Sequence, residues 1–261
     1  MTPAPLVRLS KHHALGNDFL VLVDLDGRLP VGADRARALC DRRLGVGADG
    51  LIRVSPGTGE ADVTMTLRNA DGSRAETSGN GLRCLAQAVL GPRGGDRLTV
   101  ATDAGPRRVR VLDRPDDRTV VAAAELGTAK VVAAGGGASE VDLGNPHLVV
   151  VAGPPGGGGP PDLEALGRAH PDRNVEVVTP GPEPGAVSVW VWERGVGETR
   201  ACGTGAGAAA AALWDRGALP AGATITVHLP GGDLEVAAGP HGALTLTGPA
   251  VHVADLEVPW P

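Results

Sequence analysis

The sequence predicts an α/β (α+β) fold of two pseudo-symmetric domains, each a curved mixed or antiparallel sheet around a central helix. Three observations lead to this prediction. Short strand-like runs outnumber helical runs, one four-residue motif recurs with a change, and an apolar, alanine-containing run follows each copy. The copies read Ser-Gly-Asn-Gly at 78–81 and Cys-Gly-Thr-Gly at 202–205. Because a helix with so little polar surface should be mostly buried, we expect each one to pack within its own sheet.

The two motifs belong to a longer internal repeat. Ser78 and Cys202 lie 124 positions apart. Leu-Gly-Asn also occurs near the start of each half, at 15–17 and 143–145, with an offset of 128. The small difference between the offsets is an ordinary loop difference. The unit of roughly 125 residues is longer than the ~20–50 residues of a solenoid repeat. The order and the spacing therefore indicate two copies of one domain.

Length and composition agree with two modest domains. The 261 residues suit one large or two small domains, and 42% of hydrophobic residues is enough for a core. With one Phe and no Tyr, that core must consist mainly of Val, Leu and Ala. We predict domains over 1–124 and 125–261. The last ~10 residues can return to pack with the first domain.

Charge and hydropathy exclude several classes of function. The net charge of −6, without a basic run or an aromatic platform, argues against a nucleic-acid partner. The first residues lack the charged and apolar segments of a signal peptide, and no apolar run approaches the ~20 residues of a membrane span. Three cysteines, an odd number, point to a reducing compartment rather than a disulfide framework. We therefore predict a cytoplasmic protein without nucleic-acid or membrane partners.

The strand-like runs are short and rich in Val, Leu and Ala, and some alternate as half-buried strands do. In chain order we predict strands at 20–23, 63–67, 98–101, 109–112, 119–123, 148–151, 175–178, 187–191, 225–229 and 244–246. The predicted helices are at 35–43, 82–90, 162–169 and 206–213. Gly- and Pro-dense stretches, predicted to be loops, lie at 135–137, 153–161 and 180–185. Asp34 is the expected N-cap of the first helix.

Cys202 stands where a reactive thiol is expected. Its place at the start of a predicted helix exposes it to unpaired backbone N–H groups and a partial positive charge. That field stabilises a thiolate and lowers the pKa of a thiol from about 8.5. The alternative is a buried structural cysteine before a tight turn, but the recurrence of the motif at Ser78 favours a functional role.

The glycines of both motifs suit an anion, because glycine lets a small anion approach the backbone at a helix start. Gly79 with Asn80, and Gly203 with Thr204, would form two halves of a cradle for one carboxylate. Two helix starts aimed at a carboxylate favour inversion of the neighbouring carbon, since they stabilise its carbanion-like transition state electrostatically. This chemistry requires no pyridoxal-phosphate lysine, so we predict neither a cofactor nor a metal.

Other polar residues fit an amino-acid substrate. Glu193 can hold an α-ammonium group, and Arg194 can clamp a second carboxylate through two hydrogen bonds. Four asparagines can supply amide contacts: Asn17, Asn69, Asn145 and Asn174. Each residue also has an ordinary alternative. The asparagines suit turns or caps, Glu193 and Arg194 suit a surface pair, and His147 suits a structural histidine.

Several longer segments follow one another along almost the whole chain. They are 11–19, 45–50, 68–73, 78–81, 144–147, 174–176 and the run from Trp192 to Gly205. In this combination they resemble the diaminopimelate epimerase family, PLP-independent enzymes of lysine and peptidoglycan-precursor synthesis. Each segment alone is a weak signal, but the combination is highly specific.

The resemblance implies two pseudo-symmetric α/β domains with an active site in the cleft between them. It also implies interconversion of LL- and meso-diaminopimelate, a small-molecule substrate, by a homodimer. Cys202 would be one catalytic acid/base, and Glu193 and His147 would tune the catalytic pair. Backbone groups at 79–80 and 203–204 would hold the reacting carboxylate. The remaining substrate-binding residues, including those for the distal amino-acid centre, would be Asn17, Asn69, Asn145, Asn174 and Arg194.

Ser78 departs from the family, which has its first catalytic cysteine at this position. An alcohol is a much weaker acid than a thiol, so Ser78 is rarely an alkoxide at neutral pH. It can still donate a proton or orient a water. Cys84 is no obvious substitute, because it lies about a turn and a half further along the predicted helix.

Four explanations of Ser78 are open at this point. It is a natural variant in an active epimerase, an engineered substitution, the mark of a relative acting on another amino acid such as proline, or the mark of an inactive ligand-binding paralogue. Arg194 favours diaminopimelate, because a cyclic amino acid has no distal carboxylate to clamp. Cys202 and the asparagine set disfavour a phenazine-type isomerase, which is similar in fold.

Overall fold

The computed structural model describes residues 6–152, 162–239 and 242–260. The loop predicted at 153–161 lies outside the described residues. Within the described part of the chain, no helix is both long enough and apolar enough to cross a membrane.

The chain forms two compact units. Unit 1 comprises Met1–Ala123 together with Pro249–Pro261, and unit 2 comprises Ala124–Gly248. Strands predominate in both, and helices connect some of them, so the predicted α/β class is confirmed.

Most of the helices and strands of unit 1 come from the first part of the chain. Its helices are α1 (Ala33–Cys40) and α2 (Gly79–Arg93). Its strands are β1 (Leu6–Ala14), β2 (Asn17–Val23), β3 (Gly50–Pro56), β4 (Val63–Asn69), β5 (Arg74–Ala75), β6 (Arg97–Thr102) and β7 (Gly105–Asp116). The next strand, β8 (Thr119–Thr128), leads into unit 2.

Unit 2 has a similar series of elements. Its strands are β9 (Lys130–Gly135), β10 (Ala138–Asp142), β11 (Pro146–Val151), β12 (Asn174–Pro180), β13 (Ala186–Glu193), β14 (Gly197–Thr199), β15 (Ile225–Leu229) and β16 (Gly232–Ala238). Its helices are α3 (Leu163–Ala169) and α4 (Gly203–Asp215). The last strand, β17 (Ala243–Pro259), returns to unit 1 and pairs antiparallel with β1.

The order of strand pairing is the same in the two units. In unit 1, β1 and β2 pair antiparallel, β2 and β3 parallel, β3 and β4 antiparallel, β4 and β6 parallel, and β6 and β7 antiparallel. In unit 2 the same series runs through β10, β11, β12, β13, β15 and β16. The internal repeat of the sequence therefore corresponds to a repeated strand topology.

The apolar helices α2 and α4 pack against the sheets of their units. α4 is buried from Gly203 through Leu213, and α2 is buried from Gly79 through Gln87. α2 packs against β1, β2, β3, β6 and β7, whereas α4 packs against β9 to β13 and β16. The prediction of a buried apolar helix in each half is confirmed. Both helices begin at the first glycine of the motif rather than at the apolar run.

The prediction that Asp34 caps the first helix is wrong. Gly32 is the N-cap of α1, and its helix start has no side-chain cap hydrogen bond. Asp34 instead lies in the first turn and pairs with Arg37. The helix also ends early, at Cys40, because the Asp41 side chain accepts two following backbone N–H groups and so stabilises a turn.

Several strands have no apolar run that would predict them. The sequence does not predict β1, β3, β10 or β16, in which polar residues or glycine interrupt the apolar positions. β9 is not predicted either, and its apolar residues 131–134 are mostly exposed. β1 alternates between buried and exposed residues over most of its length, with Lys11 and His13 among the polar ones. β17 extends over 17 residues, although only 244–246 is predicted. Pairing with a neighbour extends these strands beyond what local composition indicates.

Gly167 of α3 packs directly on the indole ring of Trp192 in β13. A Cβ atom at Gly167 would lie 2.2 Å from Trp192 Cγ. Alanine favours a helix over glycine by about 1 kcal/mol, but overpacking against a rigid ring costs about 1–3 kcal/mol. Because the approach of 2.2 Å is so close, the cost should reach the upper end of this range, about 3 kcal/mol. We therefore expect Gly167→Ala to lower the free energy of unfolding by about 2 kcal/mol, measured by urea denaturation.

Ala165→Gly is the matched control, because Ala165 is exposed in the same helix. It should cost only about 1 kcal/mol, through helix propensity. It should also leave the native tryptophan fluorescence unchanged, whereas Gly167→Ala should shift it. A Gly167→Ala variant as stable as the parent chain would contradict the close packing of α3 on β13.

Candidate active site

Ser78 and Cys202 occupy equivalent positions at the starts of α2 and α4. Each is the N-cap residue, with extended backbone, and Gly79 and Gly203 are the first helical residues. Ser78 Oγ accepts a hydrogen bond from the third helical N–H at 3.0 Å, and Cys202 Sγ accepts its equivalent, from Gly205, at 3.3 Å. The prediction that both side chains stand at helix starts is confirmed. Because both helices are buried, these caps satisfy N–H groups that have no intrahelical partner.

A buried arginine supports the Gly79–Asn80 segment. Arg83 is 0% exposed, and its guanidinium donates to the Gly79 carbonyl at 3.2 Å and to Asn80 Oδ1 at 2.7 Å. It also donates to the Pro249 carbonyl at 3.4 Å, so none of these three partners is a carboxylate. Burial lowers the pKa of Arg83 to about 10, which still leaves the group charged at neutral pH. Arg83 therefore adds positive charge to the start of α2.

Asn80 connects this arginine to Asn17. Asn80 Nδ2 donates to Asn17 Oδ1 at 3.1 Å, and Asn17 Nδ2 donates to Asp49 Oδ2 at 2.9 Å. Arg42 in turn pairs with Asp49 at 2.7 Å. The structure thus brings Asn17 and Asn80 together, and charged groups at both ends of the network hold the two amides in one orientation.

Asn69 ends β4 and forms the turn to β5. Its side-chain Nδ2 donates to Ser73 Oγ at 3.0 Å, and its carbonyl accepts the N–H of Gly72 at 2.9 Å. Gly72 has a φ of 83°, a conformation that favours glycine. The residue after Asn69 donates its backbone N–H to the carbonyl of Asp49. Asn69 therefore has the turn role that its sequence allows, next to the carboxylate that binds Asn17.

The Cys202 thiol is subject to opposing influences. It is 5% exposed, and burial raises its pKa well above the usual range. The carboxylates of Glu193 and Glu176 raise this pKa further, while hydrogen bonds with Thr204 and Gly205 lower it. The expectation of a thiol with a lowered pKa is therefore wrong, because burial and two carboxylates outweigh the helix N-terminus. Cys202 carries its proton at neutral pH.

His147 and Glu176 form a buried pair near the start of α4, with 1% and 0% exposure. His147 Nδ1 lies 2.8 Å from Glu176 Oε1, and its Nε2 lies 3.1 Å from Asn145 Oδ1. Asn145 Nδ2 donates to Thr204 Oγ1 at 3.2 Å, and that hydroxyl lies 3.5 Å from Cys202 Sγ. Four predicted site residues are thus joined to Glu176 in one series of hydrogen bonds.

Glu193, Arg194 and Asn174 form a second group, at the end of β13. Glu193 Oε1 accepts a hydrogen bond from the Thr199 hydroxyl at 2.6 Å. Asn174 Oδ1 accepts the backbone N–H of Arg194 at 2.9 Å, and so holds the turn that carries this arginine. Glu193 and Arg194 are half-buried rather than fully exposed.

The other two cysteines lie in the core. All three cysteines are free, and Cys40 and Cys84 are buried. Burial raises the pKa of each of these two thiols to about 12. Cys84 has no exposed surface within α2, in agreement with the inference that it does not replace a thiol at position 78.

Sequence patterns do not single out three residues of these networks: Arg83, Asp49 and Glu176. Glu176 has a signal in retrospect, because it is a charged residue within the apolar run 175–178, and such residues are rarely buried without a partner. Arg83 likewise interrupts the apolar run at 82–90. Asp49 has no comparable signal, since it lies in a Gly-rich loop where an aspartate is ordinary.

Comparison with known proteins identifies a family and close relatives. The family model described as diaminopimelate epimerase matches residues 9–132 and 140–253. A diaminopimelate epimerase of Corynebacterium glutamicum is 38% identical, over 97% of this chain and 98% of that protein. Those of Mycolicibacterium smegmatis and Mycobacterium tuberculosis are each 39% identical, over 96% of this chain and 97% of each protein.

Solved structures with lower sequence identity have the same fold. A predicted epimerase from Pseudomonas aeruginosa has a TM-score of 0.75 at 17% identity, covering 97% of this chain and 99% of that one. A probable proline racemase from Agrobacterium radiobacter, solved with bound carbonate, has a TM-score of 0.71 at 17% identity, covering 97% and 92%. At these identities the likeness shows the fold alone, and it agrees with the α/β class.

The environment of Cys202 predicts an unusual pH dependence of alkylation. Because burial, Glu193 and Glu176 raise the pKa of this thiol, its thiolate is scarce at neutral pH. We expect its rate of alkylation by iodoacetamide to keep rising about tenfold per pH unit beyond pH ~9, whereas an ordinary cysteine levels off near pH ~8.5. Peptide mass spectrometry resolves each cysteine. Cys84 serves as the internal control, since its labelling reports unfolding; a plateau for Cys202 below pH ~8.5 would contradict the raised pKa.

Proposed function

The chain belongs to the diaminopimelate epimerase family, and we propose that it interconverts LL- and meso-diaminopimelate by proton transfer at Cα. It is an isomerase that acts on a small molecule. The observation that carries the finer proposal is the setting of Cys202. This thiol caps a buried helix, carries its proton at neutral pH, and is joined through Thr204 and Asn145 to His147.

Inversion at one carbon needs an acid and a base on opposite faces. We assign Cys202 to one face, as the residue that gives or takes a proton, and Ser78 to the other. The buried, protonated thiol supports the role of acid. After it has given up its proton, the Gly205 N–H and the Thr204 hydroxyl can stabilise the thiolate.

The remaining predicted residues would bind the substrate. Gly79 and Asn80, with Gly203 and Thr204, hold the reacting carboxylate at the positively charged helix starts. The charge of the buried Arg83 supports this role at the start of α2. Glu193 pairs with an α-ammonium group, and Arg194 binds the distal carboxylate. The amides that contact the rest of the substrate are those of Asn17, Asn69, Asn145 and Asn174.

Ser78 also favours a second candidate function, a protein that binds diaminopimelate or a related amino acid without inverting it. Its hydroxyl accepts the Gly81 N–H at 3.0 Å, as any serine N-cap does. An alcohol that only caps a helix leaves the carboxylate cradle intact and removes proton transfer on one face. We place this candidate second, because the acid/base residue of the other face, Cys202, is present with its hydrogen-bonded neighbours Thr204 and Gly205.

We also propose that the protein is a cytoplasmic homodimer. The family resemblance supports the dimer, and the three free cysteines agree with a reducing compartment. Light scattering on the purified chain would test the assembly.

Isotope exchange tests the proposed reaction. In heavy water, both LL- and meso-diaminopimelate should gain deuterium at Cα and change configuration, followed by NMR and chiral chromatography. Because Ser78 is a weak acid, we expect a turnover at least ~100-fold below that of a two-thiol enzyme. Cys202→Ala is the control and should abolish inversion.

Exchange without inversion would favour the second candidate, since only the thiol face would then work. If neither isomer exchanges, and Ser78→Cys does not restore exchange, the epimerase assignment is wrong for this chain. Calorimetric binding of both isomers would then decide whether the ligand-binding candidate survives.

Placing a thiol at position 78 should increase activity. We expect Ser78→Cys to raise kcat at least ~100-fold with little change in KM, because a positioned acid or base contributes ~100–10,000-fold. Ser78→Ala is the matched control; it removes the hydroxyl, should cost about 1 kcal/mol of stability through the lost cap, and should lower any residual activity. An equal activity of Ser78→Cys and Ser78→Ala would show that position 78 takes no part in proton transfer.

A further inference from the structure

Unit 2 contains a continuous polar chain that ends at the Cys202 sulfur. It runs from Glu176 through His147, Asn145 and Thr204 to Cys202, over distances of 2.8, 3.1, 3.2 and 3.5 Å. Glu176 has no exposed surface, and its second oxygen, Oε2, has no hydrogen-bond partner among the described residues. A carboxylate in this setting is costly unless a positive charge balances it.

The repeat provides an internal comparison for Glu176. The offset of 124 that relates the two motifs aligns Glu176 with Ile52. In both units the last glycine of the motif lies over this residue. A Cβ atom at Gly81 would lie 3.2 Å from Ile52 Cδ1, and one at Gly205 would lie 2.6 Å from Glu176 Oε1. The same place in the fold is therefore apolar in unit 1 and charged in unit 2.

The comparison extends to His147. Phe19 lies two residues after Asn17, as His147 lies two residues after Asn145. Phe19 pairs with Gly50 in the parallel β2–β3 ladder, and His147 pairs with Asn174 in the parallel β11–β12 ladder. Because unit 1 folds with an apolar pair at these positions, the fold itself does not require an ionisable pair in unit 2. In this chain the ionisable pair accompanies a second difference between the units, the thiol of the cap at Cys202.

His147 has an oxygen acceptor at each ring nitrogen. Nδ1 faces Glu176 Oε1, and Nε2 faces Asn145 Oδ1. These two contacts fix the orientation of the imidazole ring. Asn145 then presents Nδ2 to Thr204 Oγ1, and the Thr204 hydroxyl, 3.5 Å from Cys202 Sγ, can in turn donate to the sulfur.

We propose that Glu176 is a positioning residue for the acid/base Cys202. By holding the His147 ring against Asn145 Oδ1, Glu176 fixes the orientation of the side chains along the polar chain. The Thr204 hydroxyl and the Gly205 N–H then both donate to the sulfur and stabilise the thiolate formed in proton transfer. This inference rests on the proposed function for its part in turnover, but the orientation of the side chains is independent of it.

The direct effect of nearby charges on the pKa of the Cys202 thiol is opposite to the effect that we propose for the polar chain. Glu193 in β13 and Glu176 in β12 both raise the pKa of Cys202, and His147 in β11 lies against Glu176. A carboxylate that acted only through its charge would disfavour the thiolate, so its removal would make Cys202 more reactive. If Glu176 acts through Thr204 instead, its removal makes Cys202 less reactive.

Alkylation of Cys202 by iodoacetamide distinguishes these signs. We expect Glu176→Gln to slow the alkylation about tenfold at pH ~8, because a hydrogen bond to the thiolate is lost. The double variant His147→Phe with Glu176→Ile copies the apolar pair of unit 1 and should fold. It should slow the alkylation at least as much, as measured by peptide mass spectrometry.

Val177→Ala is the matched control, because it loosens the same buried strand without altering the polar chain. It should leave the Cys202 rate nearly unchanged, with Cys84 labelling as a monitor of unfolding. Unchanged or faster Cys202 alkylation in both Glu176 variants would overturn the proposal. Since labelling needs no turnover, failure of the epimerase assignment would leave this result interpretable.

Turnover gives a second readout, in the Ser78→Cys background. There Glu176→Gln should lower kcat about tenfold and change KM less than ~threefold, because the residue acts on proton transfer and not on binding. Combined with His147→Asn, it should cause no further loss, since both residues act through one chain. A loss confined to KM, or fully additive losses, would refute the positioning role.

Discussion

The candidate site depends on how two buried helices begin. The first N–H groups of a helix have no intrahelical partners, and in α2 and α4 they lie where water cannot satisfy them. The side chain at each N-cap must therefore accept a hydrogen bond, which Ser78 does through oxygen and Cys202 through sulfur. The position of the reactive atom is thus a consequence of capping, and the chemistry of that atom can change without disturbing the fold.

This separation explains how Ser78 is accommodated. Serine is among the preferred N-cap residues, so replacing a thiol by a hydroxyl at this position maintains or improves the cap. The neighbouring network, from Arg83 through Asn80 and Asn17 to Asp49, does not involve the side chain of residue 78. Features assigned to carboxylate binding therefore persist, while the acid strength on that face changes greatly. On the proposed function, binding and proton transfer are therefore separable in this chain.

The sequence predicts the fold class, the two buried helices and the joint positions of the motif residues, because apolar runs and the Gly-x-Gly repeat are local signals. It does not predict the cap of α1, where Asp34 pairs with Arg37 instead. It also misjudges the pKa of Cys202, because the helix N-terminus is visible in the sequence whereas burial and the approach of Glu176 arise only from packing. Strands such as β1 are not predicted, because hydrogen bonds to neighbouring strands, rather than an apolar composition, stabilise them.

One hydrogen bond between equivalent residues runs in opposite directions in the two units. In unit 1, Asn80 donates to Asn17; in unit 2, Asn145, the counterpart of Asn17, donates to Thr204, the counterpart of Asn80. The first network runs from Asp49, which pairs with Arg42, to the cationic Arg83 at the helix start, and this cation favours an anion there. The second ends at a thiol and is balanced by a carboxylate, which favours moving a proton. A serine at the first cap and a cysteine at the second agree with this difference, because the Thr204 hydroxyl lies 3.5 Å from the second cap atom. The repeat therefore shares a backbone while each copy has its own electrostatic role.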